Sequence, residues 1–164
     1  MEYKIDIMKE EDWLQVSRIY SMGIETDLAT FQPEVPSWEA WDRGHITGCR
    51  FVARLEDKVI GWVALSPFSS REVYAGVAEL SIYIDEAYQG RGVGTKLLHH
   101  LIERSEESGY WSLLANIIKE NQSSRLLHKK CGFREIGYRE RIGKMRNGKW
   151  HDVVLMERRS KHIG

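Results

Sequence analysis

The sequence predicts a single domain of mixed α/β architecture, a sheet with helices packed on it. Three observations carry this. Seven stretches alternate apolar and polar residues, or run apolar and β-branched, over the length of a strand. A long amphipathic segment, Val93 to Ser108, follows the fourth of them. At 164 residues, with no Gly/Ser/Pro linker and no internal repeat, the chain also falls in the size range of one core, so residues 1–164 are read as one domain.

Tyr3, Ile5 and Ile7 alternate with polar residues as a half-buried strand, and from Glu10 the spacing changes to Trp13, Val16 and Tyr20, a helical face. Pro33 and Pro36 break the chain after Phe31, and Ser37 is placed to cap a second helix carrying Trp38 and Trp41. Phe51–Leu55 and Val59–Phe68, separated by Glu56, Asp57 and Lys58, read as a hairpin, with a third run at Val77–Ile84. Three glycines, Gly90, Gly92 and Gly94, then open the helix Val93–Ser108, whose Val93, Leu97, Leu98, Leu101 and Ile102 share a face and which Gly109 ends. Trp111–Ile118 is the next strand. Asn121 or Ser123 caps a helix through Leu126 and Leu127, Gly132 stops it, and strand Phe133–Ile142 follows. Asn147-Gly148 is the strongest hairpin signal and leads into the last strand, Trp150–Met156.

Composition narrows the function. Lys plus Arg and Asp plus Glu each number 24, so no net basic field exists to hold a nucleic acid. The longest stretch without a charged residue, Val59 to Ser70, has 12 residues, short of the roughly 20 a membrane-spanning helix needs. Charges throughout Met1 to Asp12 argue against a secretory leader and for a cytoplasmic protein. Cys49 and Cys131 have no metal-ligand spacing and read as small buried apolar residues, and no metal is expected.

Gln89-Gly90-Arg91-Gly92-Val93-Gly94 lies between a strand and a helix N-terminus. There, outward backbone N–H groups and the helix dipole favour a phosphate or pyrophosphate, and glycines permit close approach; a plain tight turn is the alternative. The spacing is neither the dinucleotide G-x-G-x-x-G nor the Gly-Lys-Ser/Thr of a nucleotide P-loop. It resembles the (Gln/Arg)-x-x-Gly-x-(Gly/Ala) signature of the GNAT superfamily of N-acetyltransferases, through Gln89, Gly92 and Gly94. Asn121, Ser124, His128, Gly132 and Phe133 are similar to that family's helix ending in Gly-Phe. Within the superfamily the chain resembles the phosphinothricin acetyltransferase group, through Tyr20, Ile24, Thr26 and Ala29-Thr30-Phe31; Arg71 and Tyr74; Glu79 with Ser81-Ile82-Tyr83-Ile84; and Lys149-Trp150-His151-Asp152-Val153.

The resemblance implies a mainly antiparallel sheet of about seven strands with flanking helices and a splayed central strand pair. It implies acetyl-coenzyme A as cosubstrate, its pyrophosphate on Gln89, Gly90, Arg91, Gly92, Val93, Gly94 and Thr95. The cofactor arm would lie on Ile82, Tyr83, Ile84, Asn121 and Ser124. The acceptor would be a small-molecule amine, glutamate-like as in phosphinothricin or methionine sulfoximine, in a pocket of Phe31, Arg71, Tyr74, Glu79 and Ser81.

Acetyl transfer needs a neutral amine and a proton for the leaving thiolate. Glu79, in an apolar strand where burial would raise its pKa, is the expected base; the alternative is a strand-end carboxylate paired with an Arg. His128 stands where many superfamily members carry a tyrosine thought to protonate the thiolate, and is either that acid or a hydrogen-bonding helix residue. Arg71 could hold an acid group bidentately or be a plain loop charge. His151, His99 and His100 read as structural or solvated. Six tryptophans, several between Trp13 and Trp62, exceed what one small core usually needs and point to a homodimer, as the resemblance also does.

Overall fold

A computed structural model describes residues 1–164. The strands are β1 (Lys4–Ile7), β2 (Arg50–Leu55), β3 (Lys58–Pro67), β4 (Val77–Ile84), β5 (Ser112–Ile118), β6 (Arg134–Lys144) and β7 (Trp150–Arg159). The α-helices are α1 (Trp13–Glu25), α2 (Trp38–Gly44), α3 (Val93–Glu107) and α4 (Gln122–Lys130). All seven strands form one sheet in the order β1-β2-β3-β4-β5-β7-β6, antiparallel except for the β4–β5 pair.

Local chemistry sets most boundaries where the sequence places them. The Ser37 hydroxyl accepts from the Ala40 N–H at 3.2 Å and starts α2, and the Asn121 side chain accepts from Ser124 N–H and starts α4. Two ends differ. Glu10–Asp12 form a single 3₁₀ turn before α1 begins at Trp13. Strand β7 runs to Arg159 rather than Met156, because it lies between β5 and β6 and pairs Ser112 with Arg159. The charged run Glu157-Arg158-Arg159 carries no apolar alternation that could announce this.

The sheet is covered on both faces. On one, Val16 and Ile19 of α1 and Trp41 of α2 pack on Val52, Val59, Trp62 and Ala64. On the other, Leu97, Leu98 and Leu101 of α3 pack on Phe51, Ala53, Ile60, Val63 and Leu65. Cys49 and Cys131 are buried and unbridged. The tryptophan excess is consumed inside the chain: Trp13, Trp38, Trp41 and Trp62 form one aromatic cluster with centroids 5.5–5.9 Å apart. Their number is therefore no argument for a second copy. No helix is long and apolar enough to cross a membrane.

Candidate active site

The site arises where β4 and β5 part. Their parallel pairing lasts three residues, Val77 with Ser112, Ala78 with Leu113 and Glu79 with Leu114, and then ends. Beyond it, the β5-facing backbone groups of Leu80 to Ile84 have no strand partner, so the expected splay is present. A cleft of about 360 Å³ opens in the gap, lined by Glu79, Ser81, Ile82 and Tyr83 of β4, Asn116 to Ile118 around β5, and Asn121, Ser124 and His128 of the α4 region. Unpaired N–H and C=O groups in such a gap need partners, which an amide-bearing ligand arm supplies.

Glu79 stands at the parting point. It is half-buried rather than buried, and its Oε1 accepts from Asn116 Nδ2 at 2.8 Å. No arginine pairs with it, so the alternative of an Arg-bound strand-end carboxylate is not what the geometry presents. Asn116 escapes sequence reading, because an Asn in an apolar strand signals only a polar interruption until the sheet sets it beside Glu79.

His128 is 2% exposed. Its Nδ1 lies 2.7 Å from the Ser124 carbonyl oxygen, which can only accept, so Nδ1 carries the proton. Burial holds the imidazole below its ordinary pKa against the opposing effect of that hydrogen bond. The neutral ring leaves Nε2 bare, buried and without a partner, on a residue that lines the cleft. Such an atom presents a lone pair; to act as an acid it must first gain a proton. Tyr83 packs on Trp62 and Tyr20, and burial raises its phenol, so it stays protonated.

The glycine turn is built as its sequence suggests. Gly90 and Gly92 have φ of +76° and +81°, the left-handed region, and Gly92 caps α3 without a side-chain hydrogen bond. The first amides of α3, from Val93, Gly94 and Thr95, are free of intrahelical partners and face an anion-favouring dipole. The Val93 side chain is core, so only its backbone is available. Gln89 reaches back to the Ile84 carbonyl at 3.4 Å, and Arg91 lies over Tyr88. The free amides and the bare Nε2 of His128 fit a cofactor with a pyrophosphate and an amide-bearing arm.

A second cleft, about 590 Å³, lies on the open face of β4, β5, β7 and β6 and shares Phe31, Glu79, Ala115, Asn116 and Val153 with the first. Phe31 divides the two. Its ring rests on Gly143 so closely that a Cβ there would lie 2.5 Å from Cζ. Tyr74 lines this cleft, but Arg71 lines neither; it is exposed, its guanidinium 5.5 Å from the Tyr74 ring centroid. The cation that does line it, Arg139 of β6, carries no sequence signal, since β6 reads as a string of alternating charges. His151 is buried, with Nδ1 3.0 Å from Glu120 Oε2, and lines neither cleft.

Comparison with known proteins agrees with this geometry. The phosphinothricin N-acetyltransferase of Alcaligenes faecalis is 30% identical over 161 residues, covering 94% of this chain and 81% of that protein. The L-amino acid N-acyltransferase MnaT of Escherichia coli is 30% identical, covering 93% and 91%. Among solved structures, a phosphinothricin acetyltransferase from Sinorhizobium meliloti in complex with AcCoA superposes with a TM-score of 0.87 at 28% identity, over 99% of this chain and 96% of that one. The profile of the acetyltransferase (GNAT) family matches residues 11–133, most of the chain. With its splayed β4–β5 pair, its glycine turn and these relatives, the chain belongs to the GNAT acetyltransferase family and is an N-acetyltransferase.

Proposed function

We propose that this protein transfers the acetyl group of acetyl-coenzyme A directly to the α-amine of a small glutamate-like amino acid such as phosphinothricin or methionine sulfoximine. The observation that carries this is Glu79, held by Asn116 and shared by the splay cleft and the open-face cleft, so that one carboxylate serves both reactants.

The splay cleft takes the cofactor arm, with the pyrophosphate on the amides of Gly92 to Thr95 and Asn121 and Ser124 beside the arm. The amine binds from the open-face cleft. Its ammonium gives one proton to Glu79, directly or through a water, and the freed lone pair attacks the thioester carbonyl. The N–C bond forms and the C–S bond breaks as backbone N–H groups of the splayed β4 edge hold the oxyanion. The nitrogen loses its second proton as the amide forms. One of the two protons reaches solvent from Glu79; the other passes through the bare Nε2 of His128 to the leaving thiolate. We propose also that two copies of the enzyme pair, and a monomeric mass by light scattering at micromolar concentration contradicts that pairing.

The test is thiol release from acetyl-coenzyme A with phosphinothricin and methionine sulfoximine, beside a panel of natural amino acids and polyamines. In Glu79→Gln, turnover of the glutamate-like pair is expected to fall about 10²- to 10⁴-fold with acetyl-coenzyme A binding unchanged. A loss below tenfold removes the base role. Turnover of polyamines alone removes the substrate class.

A further inference from the structure

Resting on the acetyl-transfer reading of the same site, we propose that Arg139 is the specificity-determining residue of the acceptor cleft and binds the distal acid group of the acceptor. Three observations support it. Among the residues lining the open-face cleft, Arg139 is the only Lys or Arg. The two carboxylates there are already engaged: Glu157 Oε2 accepts from Arg134 at 2.8 Å and Glu79 Oε1 from Asn116 at 2.8 Å. Arg139 itself forms no ion pair and no hydrogen bond within the chain, whereas Arg18, Arg50, Arg54, Arg125, Arg134 and Arg146 all meet carboxylates.

The sheet aims this side chain. Arg139 pairs in register with Val153, which lines both clefts, so the two side chains rise from one face. Immediately after it the β6–β7 register shifts between Arg139 and Gly143, and this irregularity turns Ile142 and Gly143 into the cleft wall. From Glu79 the register runs through Leu114 and Glu157, so Arg139, opposite Val153, lies three strand spacings across the sheet and four residues along it, roughly 19 Å of backbone. The α-carboxylate of an amino acid lies too near its amine to bridge that gap. An oxyanion several bonds out along the side chain suits it, with the intervening carbons on Leu155, Val153 and Ile142. A planar guanidinium with its donors free matches a carboxylate or phosphinate bidentately. Arg71 does not line the cleft; its guanidinium lies 5.5 Å from the ring centroid of Tyr74, which does.

Steady-state kinetics of wild type, Arg139→Gln, Arg139→Lys and Arg71→Gln, with phosphinothricin and with methionine as a neutral-tailed comparator, test this. Calorimetric binding of phosphinothricin to the same proteins in the presence of coenzyme A accompanies the kinetics. Arg139→Gln is expected to raise KM and Kd for phosphinothricin about 10- to 100-fold, with kcat within threefold and the methionine constants unchanged. Arg139→Lys recovers part of the loss, and Arg71→Gln changes the phosphinothricin constants less than Arg139→Gln does. An equal loss for both acceptors, no loss, or a loss confined to Arg71→Gln overturns the assignment. Wild type that binds phosphinothricin tightly, loses that binding in Arg139→Gln and transfers no acetyl group sustains the assignment while refuting the proposed reaction. Wild type that acetylates only neutral or cationic amines does the reverse.

Discussion

Replacing Gly143 by Ala separates the integrity of the fold from the geometry of the site. A Cβ at Gly143 meets Phe31 Cζ at 2.5 Å, Cε1 at 2.7 Å and Cε2 at 2.8 Å. Carbon atoms rest at about 3.5–4.0 Å, so the ring must retreat by roughly 1 Å. What it meets is the far end of a side chain on the loop before α2, half-buried and free to swing, not backbone. Gly143 itself does not lie in the left-handed region, so alanine adds no backbone strain. The cost to folding is therefore expected to stay below about 1 kcal/mol, a shift of no more than about 4 °C in Tm. Phe31, however, lines both clefts, and a displacement of about 1 Å at a positioning residue can cost up to about 100-fold. Acceptor kcat/KM should fall about 10- to 100-fold while acetyl-coenzyme A binding holds, measured by thiol release beside calorimetric melting. Phe31→Ala and the double variant complete the cycle, and the Gly143 effect should largely vanish once the ring is gone. An unchanged kcat/KM in Gly143→Ala, or additive losses in the double variant, refutes the role given to Phe31 as divider.

Other expectations concern protons and ion pairs. Burial holds His128, His45 and His100 below the ordinary imidazole pKa, so unfolding takes up protons; stability from these groups is full above about pH 6.5 and is lost as pH falls below it. His128→Gln should flatten the fall in urea-unfolding free energy between about pH 6.5 and 5, and an unchanged slope would show that the ring is charged in the folded protein. For Asp12, burial opposes ionisation, but the paired hydrogen bonds from Arg54 at 2.9 and 3.0 Å and the Lys9 N–H outweigh it and lower the carboxyl pKa. That contribution is present above about pH 3.9 and lost as pH falls through the lowered value. Asp12→Asn should destabilise by about 2 kcal/mol at pH 7, read from the urea midpoint, because Arg54 loses its two-point carboxylate partner and keeps only Asp6, at 3.2 Å.

Much of the site is legible in the sequence because its parts are local. A positive-φ glycine before a helix, an Asn cap and a helix ending at Gly132 need only neighbours along the chain, so Gly92, Asn121 and the α4 segment carrying His128 stand out from residue order alone. Glu79 is visible as a carboxylate in an apolar strand. Its partner is not: Asn116 lies 37 residues away and is joined to it only by the short parallel pairing of β4 and β5. Arg71 draws notice as a lone loop cation, but the fold sets it outside the lining and puts Arg139 inside, a choice made by strand register.

The sequence by itself determined the elements, the glycine turn and the chemical inventory, since periodicity and capping act over a few residues. Only the tertiary structure decided where the tryptophans go, which tautomer His128 holds, and which cation lines the open-face cleft. Each of those depends on groups brought together across strands, where side-chain direction follows from pairing register and from the early parting of β4 and β5.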